Sequence, residues 1–289
     1  MLHLVVKKRS ETVGTGSVGL SVAGLPLLLT LLLYGGCAGV PPPEEGLLPL
    51  PAGIQKLQWH RIAPGVEYKT HPGNREVPQL HLLRVDLKNE KVKVSPYPPQ
   101  ESGAEPLHIA ETAEASVVIS ATPFRYVLSL LQGFQMEPVG VYKTEGVLYS
   151  GQEKEWGVLW KDPAGELHIS DGLTRSLLQR VQWAAGGFEP ILLRGQNIGV
   201  HGERTARTAV GLDAEARYFY IVVVEGKGLI RRGLTSKETA LIFIRLGASS
   251  AMNFDGGNSA FLVIKKGTGD AFYAYQGGRR SMACFLLVK

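Results

Sequence analysis

Only two cysteines, Cys37 and Cys284, occur in the 289 residues, too few for a disulfide framework or a cysteine-built zinc site. Cys284 lies inside the apolar run 282–288 and reads as a small buried hydrophobe. Charge of one sign is scarce as well. Of the net charge of +5, Lys7, Lys8 and Arg9 against Glu11 place +2 within residues 1–36, which leaves +3 for the remainder. That balance excludes a nucleic-acid partner and a polybasic membrane patch. Helical periodicity is sparse, no internal repeat is visible, and no linker interrupts the chain after residue 57. What is abundant is turn chemistry: 35 glycines and 17 prolines favour strands over a helical bundle. With 44% hydrophobic and 20% charged residues, the chain has the composition of a globular protein with a real core.

The first 36 residues read as a leader. A basic segment precedes a charge-free stretch from Thr12 to Val40, richest in leucine between Leu25 and Leu33, the pattern of an export signal. Its length also admits a transmembrane span, against which Pro26 and the glycines count. Leu33-Tyr34-Gly35-Gly36-Cys37 resembles a bacterial lipoprotein processing site. The resemblance implies a lipidated Cys37, a membrane partner through that lipid anchor, and an exported, extracytoplasmic protein; an uncleaved anchor is the alternative. Residues 37–57, with Pro41-Pro42-Pro43, read as a stiff tether, and 58–289 as one domain.

Within that domain, Leu80–Leu87 and Val92–Val94 suit strands, and Pro106–Ala115 suits a short helix entered through Pro106. Ser116–Ala121 returns to strand, and Thr122–Tyr126 reads as an irregular polar-aromatic segment. Short strands over 139–169 form a meander, and Leu173–Arg180 is one or two helical turns. Gln182–Leu193 reads as two strands bent about a glycine kink, and 205–224 as a hairpin. The longest helix is Ser236–Leu246, with Thr235 and Glu238 as a capping box and Ala240, Leu241, Phe243, Ile244 and Leu246 on one side. The predicted fold class is α+β: a single domain with a mixed or antiparallel sheet and few helices.

Two clusters carry chemistry. Around Asp255, an apolar run meets Gly256-Gly257-Asn258-Ser259 and a second run follows. The glycines allow φ > 0 and a convergence of N–H groups on an anion, although the D-G dipeptide equally reads as an ordinary hairpin turn. Upstream, Arg204, Thr205, Arg207 and Thr208 would hold a phosphate or carboxylate bidentately, or form a strand with two solvated arginines. The order A-R-T-A-V-G at 206–211, hairpin, helix, then M-N-F-D-G-G-N-S at 252–259 is similar to the phosphodiester glycosidase family, whose uncovering-enzyme members remove N-acetylglucosamine from a phosphodiester cap. Gly186-Gly187-Phe188 before Pro190 and Gly278-Arg279-Arg280 resemble further landmarks. Two positions depart from the family pattern. Ser120-Ala121-Thr122-Pro123-Phe124 stands where an N-G-x-F-type turn is usual, and Asn258 replaces a third glycine, a residue that tolerates αL.

The resemblance implies cleavage of the glycosidic bond in sugar-1-phosphodiesters. Arg207, supported by Arg204 or Arg279, would hold the leaving phosphate. Asp255 would activate water or stabilise an oxocarbenium-like carbon. Asn253 is expected on the same face as Asp255; Thr122, Thr208 and residues 256–259 would bind substrate. A second carboxylate is not identified, Glu189, Glu203 and Asp213 being nearest. No cofactor is called for, and a divalent cation is compatible with a carboxylate beside a phosphate. The competing readings are a glycan-binding lipoprotein without activity and a phosphodiesterase attacking phosphorus.

Overall fold

Alternating apolar positions pair into antiparallel sheets around one central core. The computed structural model describes residues 53–74, 77–129, 133–226, 233–265, 272–275 and 280–289, all within one compact unit, 45–289. The expected leader, Cys37 and most of the tether lie outside the described residues, as do Gly278 and Arg279. No helix among the described residues is long and apolar enough to cross a membrane.

The first sheet has eight strands in the order His60–Ala63, Val66–His71, Leu80–Asp86, Tyr218–Val224, Arg207–Leu212, Ser250–Asn253, Pro190–Leu193, Gln196–Asn197. The second has five: Leu167–Ser170, Val158–Lys161, Trp183–Gly186, Tyr142–Thr144 and Val147–Ser150. The third also has five: Phe272–Tyr275, Leu262–Lys265, Val117–Ser120, Phe285–Val288 and Val94–Pro96. Every pairing is antiparallel, for example Arg207↔Val224 and Leu82↔Val222.

Period-two alternation explains the layering. From the first sheet, Leu83, Val85, Val210, Leu212, Ile221 and Val223 face Tyr142, Leu159 and Trp183 of the second and Ile119, Leu262 and Leu286 of the third in one buried cluster. The outer faces are backed by helices. α1 (Pro106–Thr112) covers the third sheet through Ile109 and Ala110. α2 (Arg175–Arg180) lies against the second through Leu177 and Leu178. α3 (Ser236–Leu246) covers the first through Ala240, Ile242 and Phe243. The capping box at Thr235 and Glu238 forms as expected, and Gly247 ends α3 in the left-handed conformation. A Cβ on Gly211 would come within 2.6 Å of the Phe243 ring, so this glycine lets α3 seat closely.

Three expectations change. Ile54 is fully buried and Lys69 Nζ donates to its carbonyl at 2.9 Å, so packing begins inside the stretch assigned to the tether. Thr122–Tyr126 is irregular only at Thr122 and Pro123: Phe124–Ser129 pairs with Gly133–Pro138 as a two-stranded ribbon. Residues 250–265 are no hairpin, because Ser250–Asn253 belongs to the first sheet and Leu262–Lys265 to the third. The chain crosses between sheets there, and it does so again at 186–190, from the second sheet to the first.

Candidate active site

The two crossings lie side by side. Phe188 N–H donates to the Asn253 carbonyl at 2.8 Å and Asn253 N–H to the Glu189 carbonyl at 3.2 Å. A Cβ on Gly187 would sit 2.1 Å from the Asn253 oxygen, so only glycine allows this contact. Asp255 follows at once. Its N–H donates to the Ala121 carbonyl at 2.9 Å, and its carbonyl accepts the Ser120 hydroxyl at 2.8 Å. Gly256 presses on the neighbouring strand, where an added Cβ would lie 2.8 Å from the Ala206 oxygen, and Gly257, at φ +55°, turns the chain.

The Asp255 carboxylate is held by the Ser259 side chain and the Gly256 N–H, with the Arg280 cation nearby. Burial outweighs these three stabilising influences and raises its pKa to about 6. Three amides of the turn around it are committed within the protein. The N–H groups of Gly257, Ser259 and Ala260 donate to Ala206, Gly256 and Gly257 carbonyls. The left-handed residue is Gly257 rather than Asn258.

A second polar cluster occupies the α3 side of the first sheet. Glu189 Oε1 accepts the Ser236 hydroxyl at 2.5 Å and the Asn253 amide at 2.9 Å, and Oε2 faces His201 Nε2 at 3.5 Å. Arg207 donates from Nε to the Leu234 carbonyl at 2.9 Å and from Nη2 to the Glu203 carbonyl at 2.8 Å. Burial lowers its pKa, and the Glu189, Glu203 and Glu238 charges oppose that. Arg204 grips Glu238 through both terminal guanidinium nitrogens at 2.6 Å. Asn253 is 1% exposed, and its Oδ1 is the buried side-chain polar atom left without a partner among the described residues.

The predicted residues therefore divide between two faces. Ser120 Oγ, which donates to the Asp255 carbonyl, lies 2.8 Å from Thr208 Oγ1 and so ties Thr208 to the Asp255 backbone. Thr122 is buried, and its hydroxyl is spent on the Gly186 carbonyl at 2.7 Å. Asn253, Arg207 and Arg204 turn toward α3. The alternation expected to bring Asn253 and Asp255 to one face does not operate, since the strand ends at Asn253. The Arg207 and Asp255 side chains have different partners, although their backbones adjoin: an added Gly256 Cβ would be 3.5 Å from Arg207 Cα.

Sequence reasoning gave no role to Arg280, Ser236 or His201. An acid within the otherwise apolar run 188–193 was the available signal for Glu189, which stood there only among candidates. For a metal, Asp162, Glu166 and His168 bring their donor atoms within 4.8 Å of one another and could hold a divalent cation. They sit at the tip of the hairpin 158–170, where Asp162 Oδ1 accepts Glu166 N–H at 2.8 Å and His168 lies 3.2 Å from Oδ2. Those bonds account for the group as a turn.

Comparison with solved structures finds the same fold. A hypothetical protein from Synechocystis matches at a TM-score of 0.59 and 13% identity over 80% of this chain, which spans 63% of that one. The zebrafish N-acetylglucosamine-1-phosphodiester alpha-N-acetylglucosaminidase catalytic domain, auto-inhibited by its pro-peptide, matches at 0.58 and 17%, covering 79% of this chain and 85% of its own. A putative exported protein from Burkholderia pseudomallei K96243 matches at 0.55 and 13%, over 77% and 74%. No curated protein matches significantly. The family model described as phosphodiester glycosidase matches residues 114–289. That stretch contains both sheet crossings, the Arg207 strand, α3 and Asp255, and by it the chain belongs to the phosphodiester glycosidase family.

Proposed function

We propose that the protein hydrolyses the glycosidic bond of sugar-1-phosphodiesters. Water adds to the anomeric carbon, the bond from that carbon to the phosphate oxygen breaks, and a free sugar and a phosphate monoester leave. Asp255 takes the proton from the attacking water and returns it to solvent or to the monoester, whose second pKa is about 6. So weakly basic a leaving group needs little help from a general acid. The observation that carries this reading is Asp255 itself, partly accessible, fastened at its backbone by Ser120 and Ala121, and titrating at about 6. A carboxylate with that pKa is an effective base near neutrality.

For the leaving phosphate, Arg280 supplies a cation whose charge already acts on Asp255. Arg207 supports the adjoining backbone, with Arg279 as a further donor. Arg204 is reassigned to holding α3 through Glu238. A lipid on Cys37 and a tether over 37–53 would keep the enzyme on the outer face of a membrane, within reach of envelope glycans. The Burkholderia protein of like fold is described as exported.

The test is incubation of the full chain with a sugar-1-phosphodiester in ¹⁸O-labelled water, with and without chelator. Label in the sugar supports the proposal. Label in phosphate means attack at phosphorus, and binding without turnover means a glycan-binding protein; either result ends it.

A further inference from the structure

Ten large hydrophobic side chains stand exposed among the described residues, and six of them belong to two neighbouring elements. Tyr126, Leu128 and Phe134 lie on the ribbon 124–138. Val147, Leu148 and Tyr149 lie on the strand 147–150, which adjoins the second strand of the ribbon and forms an edge of the second sheet. Their exposure runs from 41% to 72%. At about 200 Å² for a large side chain, they present roughly 600 Å² of apolar surface, the size at which an exposed patch marks an interaction site. The proposed hydrolysis uses none of them.

Register makes one side of the ribbon apolar. Tyr126 pairs with Met136 and Leu128 with Phe134, so the four share a face. Met136 is 7% exposed and packs in the central core, and its N–H donates to the Glu101 carbonyl at 2.7 Å. Two residues further out, the same face stands in solvent with Leu128 and Phe134. At the root, Arg125 pairs with Glu137 at 3.1 Å on the exposed surface, and no charged residue occurs between them in the sequence. The three residues from that ion pair to the Leu128–Phe134 pair span about 10 Å. Strand 147–150 is likewise an edge without a charge to guard it.

A charge-free blade about 10 Å deep, ending at a neutral ion pair, fits the boundary between lipid headgroups and acyl chains, into which interfacial elements bury about 5–10 Å. Aromatic rings sit at that level. A protein partner would be matched through complementary charge, for which residues 126–136 and 146–152 offer nothing. The chain holds further apolar material suited to the same place: the charge-free stretch from Thr12 to Val40 precedes Gly53, where the described domain begins, by at most about 45 Å of chain. We infer that the ribbon 124–138 and the edge strand 147–150 form a membrane-docking surface, with Leu128 and Phe134 at the headgroup–acyl boundary of a lipid bilayer and Arg125 and Glu137 on its water side. The attraction is apolar, so neutral lipid suffices and salt does not release it. The ribbon is rooted beside the proposed catalytic acid. Ala121, whose carbonyl accepts the Asp255 N–H at 2.9 Å, precedes Phe124 by at most about 10 Å of chain. Docking itself rests neither on the hydrolysis nor on a lipid at Cys37.

The test uses the full chain with Cys37→Ser, which removes the lipid and a competing thiol; Cys284 is buried. An environment-sensitive fluorophore is attached at Leu128→Cys or, as a control on a loop beside the start of α3, at Val200→Cys, a position 74% exposed. Each is mixed with vesicles of phosphatidylcholine brominated in its acyl chains, and with the unbrominated lipid. The Leu128 label should lose at least about half its emission to the bromolipid in low and high salt, while the Val200 label stays within about a tenth. Adding Phe134→Asp should cut the Leu128 quenching at least about threefold, because a charge at that depth is costly; Phe134 is 72% exposed, so the fold does not need it. A Leu128 label quenched no more than the Val200 label overturns the inference, even where the chain binds vesicles through its N-terminal stretch. Quenching that Phe134→Asp leaves unchanged overturns it too. Sedimentation without lipid reads the other occupant: self-association abolished by Phe134→Asp, with the Leu128 label unquenched, gives the face to a second copy and overturns the bilayer.

Discussion

At Asp255 the folded chain holds a carboxylate at a cost. Its pKa is raised from 3.8 to about 6, by burial first. A group whose folded pKa lies above its unfolded value favours unfolding once ionised. The penalty is absent below the unfolded pKa, grows as pH rises from about 4 to 6, and is full at pH 7. Asp255→Asn should therefore stabilise the protein at pH 7 by about 1–2 kcal/mol, with the gain gone at pH 3.5 in denaturant titrations. The same variant should lower kcat by at least about 100-fold. In the wild type the acid limb of the rate profile should fall near pH 6; a limb near pH 4 would mean another group is the base. The sequence made Asp255 conspicuous through its apolar approach and its glycines. It could not reveal that three of the turn's amides are committed to carbonyls, since those partners come from residues 206, 256 and 257 in a specific turn.

Among the elements, α3 was the most legible, because its cap, its apolar side and its glycine stop are local signals that agree. Its attachment was not. Glu238, read as a cap, is wholly buried and also gripped by Arg204, a residue the sequence assigned to phosphate. Arg204→Ala takes a two-pronged cationic partner away from a buried carboxylate, and should cost about 2–4 kcal/mol by chemical denaturation. A double-mutant cycle with Glu238→Gln should give a coupling above about 1 kcal/mol; a coupling near zero would return Arg204 to the pool of ligand-binding candidates. The two-stranded ribbon 124–138 was missed because Thr122-Pro123 signals a break and the ribbon buries little. Tyr126, Leu128 and Phe134 are 56%, 64% and 72% exposed, so neither alternation nor burial marked it.

For the whole molecule, the proposed leader and tether would bear on where the protein works. A lipid on Cys37 predicts incorporation of labelled palmitate into the full chain in a bacterial host and its loss with Cys37→Ser; incorporation unchanged by that substitution would remove the anchor. Composition, the glycine and proline excess, the capping box and the ordered motifs at 206–211 and 252–259 were sufficient for an α+β chain of antiparallel strands and for the family, because each is written in neighbouring residues. Only the tertiary structure decided that runs 250–253 and 262–265 belong to different sheets, that Asn253 and Arg207 turn toward α3, and that Tyr68, His81 and Glu225 meet in one hydrogen-bonded chain. Strand partners and facing side chains are chosen by burial across layers, between residues separated by up to 144 positions, and no local pattern encodes that choice.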